Sequence, residues 1–329
     1  MCRSGSTRTI LSSAKALEFE VAPLEGITDA VYRRTHAAFY PGAARYYTPF
    51  ISPTMNHIFT PRDLRELNPE NNPGLELVPQ LLGRNPSDLI WAAKELCAMG
   101  YTEFNLNLGC PSGTVTAKRK GSGLLAFPEE LDALLCALFR ACDMHISVKT
   151  RLGTDRPEEF SRILAIYEQY PICRLIVHPR TRADQYYAPV RLDVFRMIVE
   201  TTRLPLCYNG DLFTTGDAER FMADFPSVGT VMLGRGIAAD PGFIRRLQGD
   251  HPNLPRLRAF HDTLCREYVE VFGSENSAMQ RMKAIWTYML PRLSAGEKNR
   301  KRLVKTRRWD DFLAATMDIF SESEPFDVC

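Results

Sequence analysis

Short runs rich in β-branched and aromatic residues alternate along most of this chain with longer stretches whose apolar positions recur every three or four residues. The strand-like runs cover residues 18–26 (EFEVAPLEG), 44–50, 74–83 (GLELVPQLLG), 102–111 (TEFNLNLGCP), 145–153, 173–181, 204–211 and 228–236. Each ends in glycine, proline, asparagine or a charged residue, the usual punctuation of a strand. Helical patterns fill most of the gaps. NPSDLIWAAKELCAMG offers Ser87 as a cap and Gly100 as a stop, and FPEELDALLCALFRACD carries Pro128 in its first turn. RPEEFSRILAIYEQY and TTGDAERFMADF read the same way. Eight strands alternating with helices predict parallel pairing through right-handed crossovers. The span matches a (β/α)8 TIM barrel, with a doubly wound open sheet as the alternative. Strand signals stop after the proline-rich stretch 241–255, and three helical patterns follow. The predicted organisation is a tail over 1–17, an α/β TIM barrel over 18–245 and a small C-terminal helical domain over 246–329.

Composition narrows this picture. With 329 residues, 45% of them hydrophobic, the chain can bury a barrel core plus a smaller unit. The net charge of +2 gives no global field for a polyanion, so local charge must carry that question. Nine cysteines with no CxxC pair, most inside apolar runs, predict a reducing compartment, the cytoplasm, rather than a disulfide framework. No His/Cys cluster has ligand spacing, so no metal is expected. The first residues lack the apolar core of a signal peptide and read as a frayed tail. No apolar run of about 18 residues predicts a membrane span.

In a TIM barrel the chemistry collects at the C-terminal ends of the strands. Read as one set, those ends carry Pro23, Glu25 and Gly26, then Gln80, then Asn107 and Cys110, then Lys149 and Arg151. His178, Arg180 and Arg182 follow, then Asn209, Gly210 and Asp211, and last Gly234 and Arg235. The glycine turns YNGD and LGRG come after the seventh and eighth strands, where such barrels often hold a phosphate on backbone N–H groups. Arg235 adds a fork for that phosphate. Lys149 and His178 are expected deeper, against a bound ring. Gly109 and Pro111 set Cys110 in a turn, with the basic, glycine-bearing loop TAKRKGSG behind it. No Cys–His–Asn arrangement for acyl transfer is apparent, so a proton donor is the favoured role for that thiol.

The motifs APLEGITD, NLNLGCPSGTVTAKRKGSGLL, VKTRLG, VHPRTRADQYY, YNGD and LGRG, in this order, resemble the flavin-dependent dihydrouridine synthases over about residues 20–320. The resemblance implies a TIM barrel holding FMN, a C-terminal helical domain that grips tRNA, and reduction of the uridine C5=C6 bond with NADPH as the electron source. It implies that Pro23, Leu24 and Glu25 line the flavin. Gln80, Lys149 and His178 contact its rings, and Asn209, Gly210, Asp211, Gly234 and Arg235 hold its ribityl chain and phosphate. Cys110 is then the catalytic acid, with Asn107 and Arg180 or Arg182 facing the uracil. The sequence departs from the family where APVRLDVF follows VHPRTRADQYY, which puts that loop's substrate contacts in question.

Residues 279–308 add a local charge. They hold Arg281, Lys283, Arg292, Lys298, Arg300, Lys301, Arg302, Lys305, Arg307 and Arg308 against the single acid Glu297. A phosphate-tracking surface is expected there, with Arg281 and Lys283 among the substrate contacts. The expectation is a monomer acting on tRNA. Ribosomal RNA, or a small enone or pyrimidine reduced on an FMN barrel, remains open, as does a non-catalytic RNA-binding protein on a degenerate barrel.

Overall fold

The computed structural model describes residues 17–323, and the tail predicted over 1–17 lies almost wholly outside them. Nine short strands pair in parallel in the order β3-β2-β1-β9-β8-β7-β6-β5-β4. They are β1 (Glu18–Val21), β2 (Arg45–Tyr47), β3 (Leu77–Val78), β4 (Gln80–Leu81), β5 (Glu103–Leu108), β6 (His145–Arg151), β7 (Arg174–His178), β8 (Leu206–Tyr208) and β9 (Thr230–Leu233).

The strand predicted over 74–83 is split in two at Pro79 for a covalent reason. Proline has no N–H to give to a ladder. Its carbonyl still accepts the Asn105 N–H at 2.8 Å, and the Gln80 N–H turns to Thr48 Oγ1 at 2.9 Å. β3 and β4 stand at the two ends of the sheet order and are neighbours in sequence, so the sheet closes on itself. The result is an eight-stave barrel, and the open doubly wound sheet is excluded.

Helices cover the outside. Asn85, rather than the predicted Ser87, caps helix Pro86–Ala98, its Oδ1 accepting the Ser87 N–H at 3.0 Å. Asparagine fits because Pro86 occupies the first helical position and the cap precedes it. Helix Thr215–Asp224 begins on a reciprocal capping box between Thr214 and Asp217.

The C-terminal region is all helical, as Leu254–Phe272, Glu275–Met289, Glu297–Lys305 and Trp309–Glu322. It shares one continuous buried cluster with the barrel. Phe260 packs edge-on against Tyr32 and Tyr40, with ring centroids 5.7 and 5.6 Å apart. Tyr268 donates its hydroxyl to Asp29 Oδ1 at 2.8 Å. No helix among the described residues is long and apolar enough to cross a membrane. The seven described cysteines are free, and the described residues contain no metal-holding group of His, Cys, Asp and Glu.

Candidate active site

Parallel register brings the strand-end residues together. Lys149 on β6 stands level with Asn107 on β5, and Arg151 stands level with His178 on β7. Alternation along β6 sends Lys149 and Arg151 to the same side, two residues apart. Both line a mouth of roughly 550 Å3 at the C-terminal ends of the strands. Its wall continues through Pro23, Leu24, Gly109, His178 and Tyr186, then Asn209, Gly210 and Asp211, and Gly234, Arg235 and Gly236.

The electrostatics of this mouth are unusual. Burial pushes the Lys149 ammonium down to about 8, with the Arg151 guanidinium acting in the same direction. The groups that favour its charge are the thiols Cys207 and Cys110, not a carboxylate. His178 is held well below the usual imidazole range, first by burial and then by the Arg151 and Lys149 charges. It is therefore neutral, and its Nδ1 donates to the Asn209 carbonyl at 2.6 Å. That bond fixes the tautomer and leaves Nε2 as the acceptor, 3.3 Å from Arg180 Nη1.

Cys110 follows Gly109, which lines the same mouth, and lies within reach of the Lys149 and Arg151 charges. Its turn is held from three directions. Asn107 Oδ1 accepts the Gly109 and Cys110 N–H groups at 3.0 and 2.9 Å. Ser122 donates Oγ–H to the Cys110 carbonyl at 2.8 Å, and Arg151 Nε donates to the Gly109 carbonyl at 3.0 Å. Gly121 approaches closely with φ +57°, and a Cβ there would stand 2.9 Å from the Cys110 carbonyl oxygen. Burial pushes the Cys110 thiol up, more than the Lys149 and Arg151 charges pull it down. A thiol kept protonated at neutral pH is a proton donor rather than a nucleophile.

The other sequence-predicted residues divide. Gln80 is buried inside the barrel, not at the mouth. It accepts from Asn107 Nδ2 at 2.7 Å and donates to Asn105 at 2.8 Å, so it braces the Cys110 turn from below. Glu25 is half exposed and pairs with Arg62, and its carboxylate adds to the upward push on the Cys110 thiol. Arg180 is buried and forks onto Asp211, which Arg235 also pairs. Arg182 turns away to Asp155 at 3.3 Å. Arg281 lies 3.4 Å from Asp29 behind the β1 loop, and Lys283 donates to the Val304 and Thr306 carbonyls at the end of helix Glu297–Lys305. Tyr186 was not singled out in the sequence, yet Arg235 and Arg151 sit over its ring, 4.5 and 5.1 Å from the centroid. Arg151 appeared there only as a strand end. The two-residue spacing from Lys149 was the signal that would have found its role.

The residues fit a flavin. A buried ammonium without a carboxylate partner matches a ring system that carries negative charge when reduced. Gly234, Arg235 and Gly236 line the mouth together, and Arg235 offers its guanidinium there to a phosphate.

Residues 20–314 match the family model of the dihydrouridine synthases. The chain is 31% identical over 232 residues to a probable tRNA-dihydrouridine synthase 1 of Synechocystis, a match covering 69% of this chain and 63% of that one. It is 30% identical over 230 residues to tRNA-dihydrouridine synthase B of Shewanella oneidensis, covering 69% and 70%. It is 30% identical over 233 residues to a tRNA-dihydrouridine(16) synthase of Pseudomonas putida, covering 68% and 71%. Among solved structures, a 2-naphthoyl-CoA reductase superposes with TM-score 0.56 at 9% identity, over 70% of this chain and 50% of that one. A morphinone reductase variant superposes with TM-score 0.51 at 11% identity, over 73% and 89%. These two likenesses concern the barrel fold. With a family match from the first strand to the last helix, the chain belongs to the dihydrouridine synthase family.

Proposed function

We propose that this chain is a tRNA-dihydrouridine synthase that reduces the C5=C6 bond of uridines in tRNA, with FMN as cofactor and NADPH as reductant. The observation that carries the reading is the protonated Cys110 thiol held beside the Lys149–Arg151 pair at a mouth suited to a flavin. The relatives named for tRNA support the choice of substrate.

Lys149, His178 and the Asn209–Asp211 turn would hold FMN, with Gly234 and Arg235 at its phosphate and Pro23 and Leu24 along its edge. FMN held there would supply hydride for uridine C6. The protein supplies the rest. Cys110 Sγ–H gives its proton to C5, and the Asn107, Ser122 and Arg151 bonds hold the backbone that carries the thiol. The Lys149 ammonium stabilises the negative charge that the pyrimidine develops before the proton arrives. Neutral His178, held by Asn209 at Nδ1 and facing Arg180 at Nε2, adds no further positive charge at the mouth. The uridine must leave its stack to reach the mouth. The helical region from 246 onward would track RNA phosphates, and the enzyme would act as a cytoplasmic monomer.

The deciding experiment follows the flavin absorbance under anaerobic conditions. NADPH should bleach it, and tRNA lacking dihydrouridine should restore it with one dihydrouridine formed per flavin reoxidised. Bleaching with no response to tRNA would overturn the substrate assignment, and failure to take up FMN would overturn the enzyme reading.

A further inference from the structure

Eight large apolar side chains stand most exposed among the described residues, and four of them lie on two loops at the barrel mouth. Met55 (83% exposed) and Ile58 belong to the loop after β2. Tyr186 and Tyr187 (94% exposed) belong to the loop after β7. Single exposed apolar residues need no explanation, but a concentration of them around a functional opening does.

Both loops are held rigid. The Tyr187 loop is pinned by Arg151 Nη1 to the Gln185 carbonyl at 2.8 Å and by Arg180 Nε to the Ala188 carbonyl at 2.5 Å. Asp184 accepts the Thr181 N–H at 2.8 Å and pairs with Arg191 at 2.9 Å. Within this frame Tyr186 turns into the mouth under Arg235, which leaves its neighbour Tyr187 outside. Across the mouth, His57 stacks on Trp91 with centroids 5.2 Å apart, and Lys120 donates to Ser52 Oγ at 2.8 Å. Exposed Arg62, Arg65, Lys118 and Arg119 stand on the segments flanking this second loop. An aromatic ring in water on a pinned backbone, with a redox mouth beside it and cations across that mouth, matches the way proteins hold unstacked nucleic-acid bases.

The geometry points to Tyr187 as a stacking platform for a nucleobase next to the extruded uridine, with Met55 and Ile58 as an apolar wedge on the opposite rim. A base removed from a helix leaves its neighbours unstacked, and an aromatic ring at the rim replaces part of the lost contact. This inference rests on the RNA reading given above.

The test begins with wild-type enzyme and tRNA transcript, to map the modified uridine. A transcript carrying 2-aminopurine beside that position then reports stacking by fluorescence quenching. Wild-type enzyme and Tyr187→Phe should quench the probe, and Tyr187→Ala should not. Tyr187→Ala should raise KM for tRNA by about 5- to 150-fold, the range of one base–aromatic stack, with kcat within about twofold and the salt dependence of binding unchanged. Met55→Ser with Ile58→Ser should raise KM in the same direction. The side chain is almost wholly exposed, so flavin content and melting temperature should match wild type. Equal quenching and equal KM in wild type and Tyr187→Ala would overturn the platform while leaving the synthase reading intact. A wild-type enzyme that forms no dihydrouridine in any RNA would overturn both.

Discussion

Cys110 and Lys149 carry opposite consequences of the same burial. Burial favours the neutral form of each, which makes the thiol a better reservoir of a proton and the ammonium a strained cation. Cys110→Ala should keep FMN bound and lower dihydrouridine formation by about 100- to 10,000-fold, the range for a positioned general acid. Flavin absorbance and nucleoside analysis of the tRNA check the two halves. Because the Cys110 pKa is raised, single-turnover proton delivery should stay level through the ordinary thiol range near pH 8.5 and fall only above it. Lys149→Met should melt higher than wild type in the flavin-free protein at pH 7, and should hold FMN more weakly. The sign follows from the depressed folded pKa of about 8. Below pH 8 the folded state bears the full cost of a buried charge. Between pH 8 and the ordinary lysine pKa near 10.4 the unfolded chain binds the extra proton, so the cost fades. The melting-temperature gap between variant and wild type should therefore shrink as pH rises through that window. An unchanging gap would mean that Lys149 is not the buried cation described.

The C-terminal helices separate charge that binds from charge that builds. In the sequence all ten basic residues of 279–308 offer a phosphate-tracking surface, with Arg281 and Lys283 among the substrate contacts, but the fold gives them different work. Lys283 caps helix Glu297–Lys305, Arg300 donates to the Leu293 and Ala295 carbonyls, and Arg302 pairs with Asp318. Trp286, on the preceding helix, is buried and presents no ring to a ligand. Lys298, Lys305 and Arg307 are exposed. Replacing these three with serine should flatten the log–log salt dependence of tRNA binding by about two to three units, without lowering the melting temperature. Lys283→Ala should do the reverse. It leaves two carbonyls without their donor and should cost about 1–3 kcal/mol of stability, with the salt slope nearly unchanged. Filter binding across a salt series, beside calorimetry, reads both.

Across the whole molecule the barrel and the helical region share a single core, and this sets how far they can be parted. Leu257, Phe260, Leu264 and Tyr268 from helix Leu254–Phe272 are buried, and Phe260 and Tyr268 reach the face of helix Ala30–Phe39. Arg34 pairs with Glu267 across the same contact. Truncation after residue 249 would expose Tyr32, Tyr40 and the Asp29 carboxylate that Tyr268 and Arg281 now satisfy. The shortened barrel should aggregate or melt at least about 10 °C lower rather than persist as a small-molecule reductase. A soluble truncation with the wild-type melting temperature and full FMN content would contradict the shared core.

The order of strands and helices, the closed parallel architecture and the run of chemistry at the strand ends were all legible in the amino-acid sequence. Periods of two and 3.6, proline and glycine punctuation and the NLNLGCP motif are local signals, and a local signal survives without the fold. The break at Pro79 was local too, since a missing N–H can be read from one letter. The partner of each polar side chain was not legible. Asn107 was expected to face a substrate; its Oδ1 holds the Cys110 turn, and its Nδ2 donates to Gln80, 27 residues away in sequence. Arg182 was expected to face the substrate and turns to Asp155, whereas Tyr186, which was not singled out, lines the mouth. These outcomes depend on strand register and on which loop covers which strand end. Contacts between residues far apart in sequence decide both, and a buried hydrogen bond belongs to whichever group that closure brings within 3 Å.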